Sequence, residues 1–180
     1  GYSVAHKLRS LGYKGSIDLV CAESSVPYQR PPLSKKFLMG KIPKERLFFK
    51  PEKYYKENDI RLKIGIKVTQ IDRVNNKVHC SDNTELSYEK LFLVTGSEPT
   101  LFPEHLGGKL QKLFYIRSMV DINMIWNEFK PGKRVMIVGG GYIGLEVAAV
   151  ARETNLDVTL VEAENRILKR VACCQTGNFF

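Results

Sequence analysis

The sequence predicts an α/β protein with two parallel-sheet units, each ordered strand–glycines–helix–strand–acid, and an antiparallel meander of short strands between them. Three features carry this. Residues 134–162 run from the apolar stretch Arg134-Val135-Met136-Ile137-Val138 through Gly139-Gly140-Gly141 into a helical pattern, then to a second apolar stretch ending at Glu162. Residues 1–23 echo the same order without the first strand: a glycine, a helical pattern, then a strand ending at Glu23. Between the two lie strand-sized segments from Arg61 to Val94, separated by Gly and Asn/Asp turns.

Taken in order, Ser3 to Leu11 carries apolar residues at Val4, Ala5, Leu8 and Leu11, a helical spacing that Gly12 stops. Ser16 to Ala22 reads as a strand. The Pro-rich stretch Val26 to Lys35 excludes regular helix and central strand, because proline lacks the N–H and fixes φ. Pro51 suits the start of a short helix over Glu52 to Asn58. Leu62–Ile64, Val68–Ile71, Lys77–Cys80 and Leu91–Val94 are expected as meander strands, with turns at Gly65, Asn75-Asn76 and Asp82-Asn83. A further strand is expected around Leu113 to Ile116 and a helix near Asp121 to Phe129, with Trp126 in the core beside Ile122 and Ile125. After the break at Pro131-Gly132, Arg134–Val138 is nearly all apolar, as a parallel strand covered on both faces would be. Helix Tyr142 to Glu153 and strand Val158 to Val161 follow.

Composition narrows the function. Hydrophobic content of 43% with 26% charged residues is ordinary for a globular chain, and no run of 18 or more apolar residues exists, so these residues hold no transmembrane helix. Gly1-Tyr2-Ser3 is neither an initiator methionine nor a signal peptide. The net charge of +9 sits entirely in residues 1–70, with 15 Lys/Arg against 6 Asp/Glu, while residues 71–180 hold 13 of each. Such an excess either steers an acidic partner or nucleic acid, or is a solvated lysine-rich surface; no nucleic-acid motif accompanies it. Cys21, Cys80, Cys173 and Cys174 form no Cys-x-x-Cys pair, which argues against a redox disulfide or a zinc knuckle and for reduced thiols in a cytoplasm-like compartment. His6, His79 and His105 lack metal-ligand spacing, so no metal site is expected.

The chemistry lies in Gly139-Gly140-Gly141-Tyr142-Ile143-Gly144. This string follows a parallel strand, opens a helix, and is followed 18 positions later (162 − 144) by Glu162. Gly139 permits the tight turn, Gly141 lets the main chain approach a pyrophosphate, and Gly144 lets the helix pack on the sheet. A pyrophosphate is then met by free N–H groups and the positive end of the helix dipole. Glu162 accepts from ribose hydroxyls and repels a 2′-phosphate, which favours NAD(H) over NADP(H). Tyr142 and Ile143 are either core residues or part of the site.

The string Tyr28-Gln29-Arg30-Pro31-Pro32-Leu33-Ser34-Lys35 adds a resemblance. The chain is similar to the FAD-dependent ferredoxin reductases that serve Rieske oxygenases and cytochromes P450, relatives of apoptosis-inducing factor. Val68-Thr69-Gln70-Ile71-Asp72, Val94-Thr95-Gly96, Tyr115-Ile116-Arg117 and Gly139 to Glu146 belong to the same likeness. It implies a flavoprotein with two dinucleotide-binding, Rossmann-like domains, both incomplete here: an FAD domain over residues 1–105 and an NAD domain over residues 106–180. Gly1 would be the last glycine of the FAD fingerprint, and the chain a fragment of an enzyme roughly twice as long.

The resemblance also assigns residues. Glu23 would bind the FAD ribose, and Arg30 and Lys35 would lie against the flavin and pyrophosphate. The main chain of Val68 would meet the adenine, Thr95 and Gly96 would line the FAD, and Arg117 would face its phosphates. Glu146 would pair with Lys35 near flavin and nicotinamide, with Tyr142 and Ile143 beside them. An ordinary loop cation at Arg30, a solvated Lys35 and a solvent-facing Glu146 are the plain alternatives. The implied activity passes hydride from NADH to FAD and electrons to an acidic ferredoxin-type iron–sulfur protein. Other acceptors (rubredoxin, a nitrite reductase module, oxygen) or a redox protein that binds nucleic acid are the alternatives.

Overall fold

Helix α1 (Tyr2–Ser10) forms where Val4, Ala5 and Leu8 fall on one side; it buries Ala5 and ends where Gly12 takes φ +81°. Strand β1 (Ile17–Cys21) follows and pairs in parallel with β2 (Ile60–Ile64), in register from Ile17 opposite Ile60 to Cys21 opposite Ile64. Helix α2 (Glu52–Glu57) lies between them in sequence. Pro51 is its N-cap, with extended ψ of 158°, rather than its first helical residue. The computed structural model describes residues 1–179, in two units: residues 1–29 with 45–97, and residues 30–44 with the chain from Glu98 onward.

In the first unit Ala5, Ile17, Leu19, Val26, Tyr55 and Ile60 form one buried cluster. Each large side chain of this kind contributes about 1.5–3 kcal/mol on leaving water. Arg9 fastens the edge of this cluster. Its guanidinium donates to the carbonyls of Tyr13 (2.7 Å), Gly15 (2.9 Å), Asn58 (2.7 Å) and Asp59 (2.8 Å). These carbonyls close the loop after α1 and the end of α2, where Asp59 sits at φ +51°.

The meander is β3 (Val68–Asp72), β4 (Lys77–Cys80) and β5 (Glu85–Ser87), antiparallel throughout. Asp72 builds its first turn by accepting from the N–H groups of Val74 and Asn75, with Asn76 at φ +51°. Two expectations are corrected here. The segment at 60–64 leaves the meander and lies beside β1, a choice of partner that alternation along one strand does not encode. Leu91–Val94 is not a strand; no described strand pairs with it, and its side chains are 39–66% exposed.

In the second unit Pro31–Ser34 is a 3₁₀ turn, and Leu33, Ser34, Phe37 and Leu38 behind it are buried. Helix α3 (Met119–Trp126) begins at a capping box in which Ser118 and Asp121 satisfy each other's main-chain N–H groups. Strand β6 (Arg134–Val138) runs parallel to β7 (Asp157–Val161), with α4 (Tyr142–Glu153) between them in sequence. A short helix, α5 (Cys174–Phe179), follows.

Three further expectations change. Leu113–Ile116 forms no strand. β6 is not buried on both faces: Met136 is 67% and Val138 61% exposed, because its sheet has two strands among the described residues. Trp126 is 37% exposed rather than core; its ring lies against Phe37 and its indole N–H donates to the Leu38 carbonyl at 2.9 Å. An indole that must satisfy its N–H stays at the margin of an apolar cluster. No helix among the described residues is long and apolar enough to cross a membrane.

Candidate dinucleotide site

The turn from β6 into α4 needs its glycines for different reasons. Gly139 takes φ +110°, and its N–H donates to the Val161 carbonyl at 2.8 Å, tying the turn to β7. A Cβ at Gly144 would stand 1.9 Å from the Gly139 carbonyl oxygen, so only glycine lets α4 start this close to the strand. Gly141 differs. It is the N-cap of α4 at φ −83°, and a Cβ there would meet nothing within 4 Å. Its surroundings within the protein do not require glycine, and the open space beside it leaves the main chain accessible. No side chain caps α4 and no acid stands in its first turn, so its leading N–H groups suit an anion.

Glu162 follows β7 and closes this turn. Its Oε2 accepts from the Gly140 N–H at 2.5 Å and its Oε1 from the Glu164 N–H at 2.9 Å. These main-chain donors, Glu164 first and then Gly140, hold its carboxyl below the usual carboxylate range. A Cβ at Gly140 would lie 2.8 Å from Ile167 Cγ2 and 3.1 Å from Glu162 Oε2. Gly140 therefore makes room for the carboxylate, a role that the spacing of the string did not suggest. A diphosphate at the amides and a ribose beside the carboxylate fit the groups present.

The same unit holds a second polar cluster. Lys35 Nζ lies 2.8 Å from Glu146 Oε1, and Ser34 Oγ donates to Glu146 Oε2 at 2.5 Å. Lys35 also donates to the Pro31 carbonyl at 3.2 Å. Burial pushes the Glu146 carboxyl up, but the bonds from Lys35 and Ser34 outweigh it and the group is held below its ordinary range. The contact expected between Lys35 and Glu146 is formed. Ser34 was not singled out from the sequence; its place beside Lys35 in the Arg-Pro-Pro-Leu-Ser-Lys string was the available signal. Arg30 donates to the Arg117 carbonyl at 2.6 Å, and the Arg117 N–H donates to Asp121. Tyr142 and Ile143, at the start of α4, are 58% and 53% exposed.

The other candidates lie in the first unit. Gly1 caps α1, accepting from the N–H groups of Val4 and Ala5. A Cβ there would come within 2.8 Å of Leu19 and 3.5 Å of Val94. Glu23, just past β1, accepts from the Tyr28 hydroxyl at 2.5 Å, and its carbonyl accepts from the Gly65 N–H. Val68 opens β3 opposite Cys80, while Thr95 and Gly96 lie in an exposed irregular stretch with Gly96 at φ +72°. The four cysteines are free thiols.

A strand–glycine–helix–strand unit closed by an acid is shared by many nucleotide-binding proteins, so membership is decided over the whole chain. Residues 1–177 match the pyridine nucleotide-disulphide oxidoreductase family. The chain belongs to that family. It is 38% identical over its full length to putidaredoxin reductase of Pseudomonas putida, spanning 43% of that protein. It is 38% identical over 99% of its length to a rubredoxin-NAD(+) reductase of the same organism, spanning 46% of it. With the ferredoxin--NAD(+) reductase component of the P. putida p-cumate 2,3-dioxygenase system it shares 37% identity over 94% of its length and 42% of the relative's. The solved covalent complex of putidaredoxin reductase with putidaredoxin superposes on 99% of the chain, and on 43% of the reductase, with a TM-score of 0.94. The chain thus spans less than half the length of these relatives.

Proposed function

We propose that the protein to which this chain belongs is an FAD-dependent reductase that oxidises NADH and delivers electrons to a ferredoxin-type iron–sulfur protein. The observation that carries it is the Gly139–Gly144 turn closed by Glu162, in a chain alike over its whole length to reductases of this kind. Bound FAD supplies the acceptor for a hydride and the means of passing electrons on singly.

The chain's own residues bind, orient and tune. The amides of Gly139, Gly140 and Gly141 and the N-terminal turn of α4 hold the NADH pyrophosphate, and Gly144 keeps that turn tight against β6. Glu162, fixed by two main-chain donors, accepts from the adenosine ribose and disfavours a 2′-phosphate. Lys35 and Glu146 form the ion pair beside the flavin and nicotinamide, with Tyr142 and Ile143 next to them. The pair fixes a cation near the reacting atoms. Residues 1–105 belong to the FAD domain and residues 106–180 to the NAD domain. Gly1, Glu23, Arg30, Val68, Thr95, Gly96 and Arg117 serve the FAD. The excess of 15 Lys/Arg over 6 Asp/Glu in residues 1–70 attracts an acidic partner, with a rate that falls as salt rises.

The test is steady-state reduction of a [2Fe–2S] ferredoxin by the full-length protein with NADH and with NADPH. Turnover with NADH and ferredoxin supports the assignment. Rubredoxin serves as the second acceptor, because a rubredoxin reductase lies at the same identity. Turnover with rubredoxin alone would reassign the partner, and failure to bind either coenzyme would remove the function.

A further inference from the structure

Ser34 is the buried polar residue of the described core, 4% exposed, and its hydroxyl is spent on one oxygen of Glu146. The 3₁₀ turn Pro31–Ser34 fixes it, since the two prolines set φ and Leu33, Phe37 and Leu38 on either side are buried. Lys35 is a different kind of partner. Its side chain is 48% exposed on a four-carbon stem, and a pair so open to water holds its geometry weakly. The rigid contact on Glu146 is therefore the serine.

We propose that Ser34 is a positioning residue: by donating to Glu146 Oε2 it fixes the carboxylate with Oε1 toward Lys35, which sets where the Lys35 ammonium stands. This rests on the assignment of Lys35 and Glu146 to the flavin–nicotinamide site. The charged groups facing α4 are Arg30, Lys35, Lys36 and Lys41 around and after the 3₁₀ turn, Arg134 on β6 and Asp157 on β7; Lys41 pairs with Glu153 at the last residue of α4, and Lys35 reaches Glu146. Protonation of Glu146 is thus set by burial, which favours the neutral acid, against one cation and one hydroxyl, which favour the carboxylate. Loss of the hydroxyl removes a donor to the charged form and lets the acid protonate at higher pH.

The experiment is stopped-flow reduction of the full-length holoenzyme's flavin by NADH across pH, for wild type, Ser34→Ala, Ser34→Thr and Glu146→Gln. Thermal midpoint and flavin content are measured on each. Ser34→Ala should move the acid limb of the rate profile up by about one pH unit, giving a roughly tenfold lower rate within the shifted window. Ser34→Thr should restore the wild-type limb, and Glu146→Gln should abolish it. A wild-type limb in Ser34→Ala, while Glu146→Gln loses the limb, overturns the role of Ser34 and leaves the site assignment standing. A uniform rate loss with a lowered thermal midpoint reduces Ser34 to a packing residue and also overturns it. An unaltered rate profile in Glu146→Gln removes the site assignment, and the proposal with it.

Discussion

The Gly140 main-chain nitrogen stands 2.5 Å from Glu162 Oε2, so the glycine turn after β6 and the acid after β7 are joined by a hydrogen bond of the protein itself. Twenty-two residues apart in sequence, the two meet because β6 and β7 are parallel neighbours in register from Arg134 opposite Asp157 to Val138 opposite Val161. Their carboxyl ends coincide, and whatever follows each strand is brought to one place. Both oxygens of the carboxylate are oriented by main-chain donors, which leaves the side chain little rotamer freedom.

Replacing Glu162 by Ala should raise the KM for NADH and narrow the preference against NADPH, by about tenfold in the ratio if one well-formed charge-assisted contact is lost. Steady-state kinetics with both coenzymes on the full-length protein measure it. An unchanged ratio would count against the ribose role.

Gly141 and Gly144 should separate binding from folding. Gly144→Ala places a methyl 1.9 Å from the Gly139 carbonyl and should cost about 3 kcal/mol, read as a lowered thermal midpoint, together with coenzyme binding. Gly141→Ala meets nothing and keeps an allowed φ of −83°, so stability should stay within about 1 kcal/mol while the KM for NADH rises. Equal thermal losses in both variants would contradict this.

Arg9→Ala should strip four carbonyls of their shared donor and lower stability by about 3 kcal/mol, less than the sum of four separate bonds. Arg9→Lys should recover under half of that, because an ammonium cannot span the same carbonyls with a planar fork. Thermal denaturation of the full-length protein provides the comparison.

Acid should destabilise the protein through a defined set of carboxylates. Asp72 (donors from Asn75), Asp82 (Thr84), Glu85 (Lys77), Glu128 (Lys112) and Glu162 (Glu164 and Gly140) are held below the ordinary range. So is Glu146, where burial is outweighed by Lys35 and Ser34. A carboxylate depressed in the folded state contributes stability present in full above its unfolded value, near about 4, and lost as pH falls through its folded value. The thermal midpoint should therefore show no carboxylate-linked change from about pH 5 to 8 and fall below about pH 4. A midpoint that rises on acidification would refute the direction.

Much was legible in the sequence because it is written in local rules. Glycine at φ +110°, a helix with apolar residues on one side and an apolar strand are properties of short windows, and α4 spans Tyr142–Glu153 as expected. Partner choice was not legible. The apolar run at 91–94 has the composition of a strand, yet strands exist only where a neighbour takes their hydrogen bonds. Trp126 carries helical core spacing, yet its N–H needed the Leu38 carbonyl, 88 residues away.

By itself the sequence determined the glycine turn, the acid that follows β7 and the family to which the chain belongs. Only the tertiary structure decided that residues 30–44 associate with the unit that begins at Glu98, and that Ser34 joins the Lys35–Glu146 pair the resemblance implied, across more than a hundred residues. Turn and helix propensities act over a few residues and can be read along the chain. An ion pair flanked by a buried hydroxyl depends on which apolar surfaces meet, and that is settled by the packing of Leu33, Phe37 and Leu38 out of water.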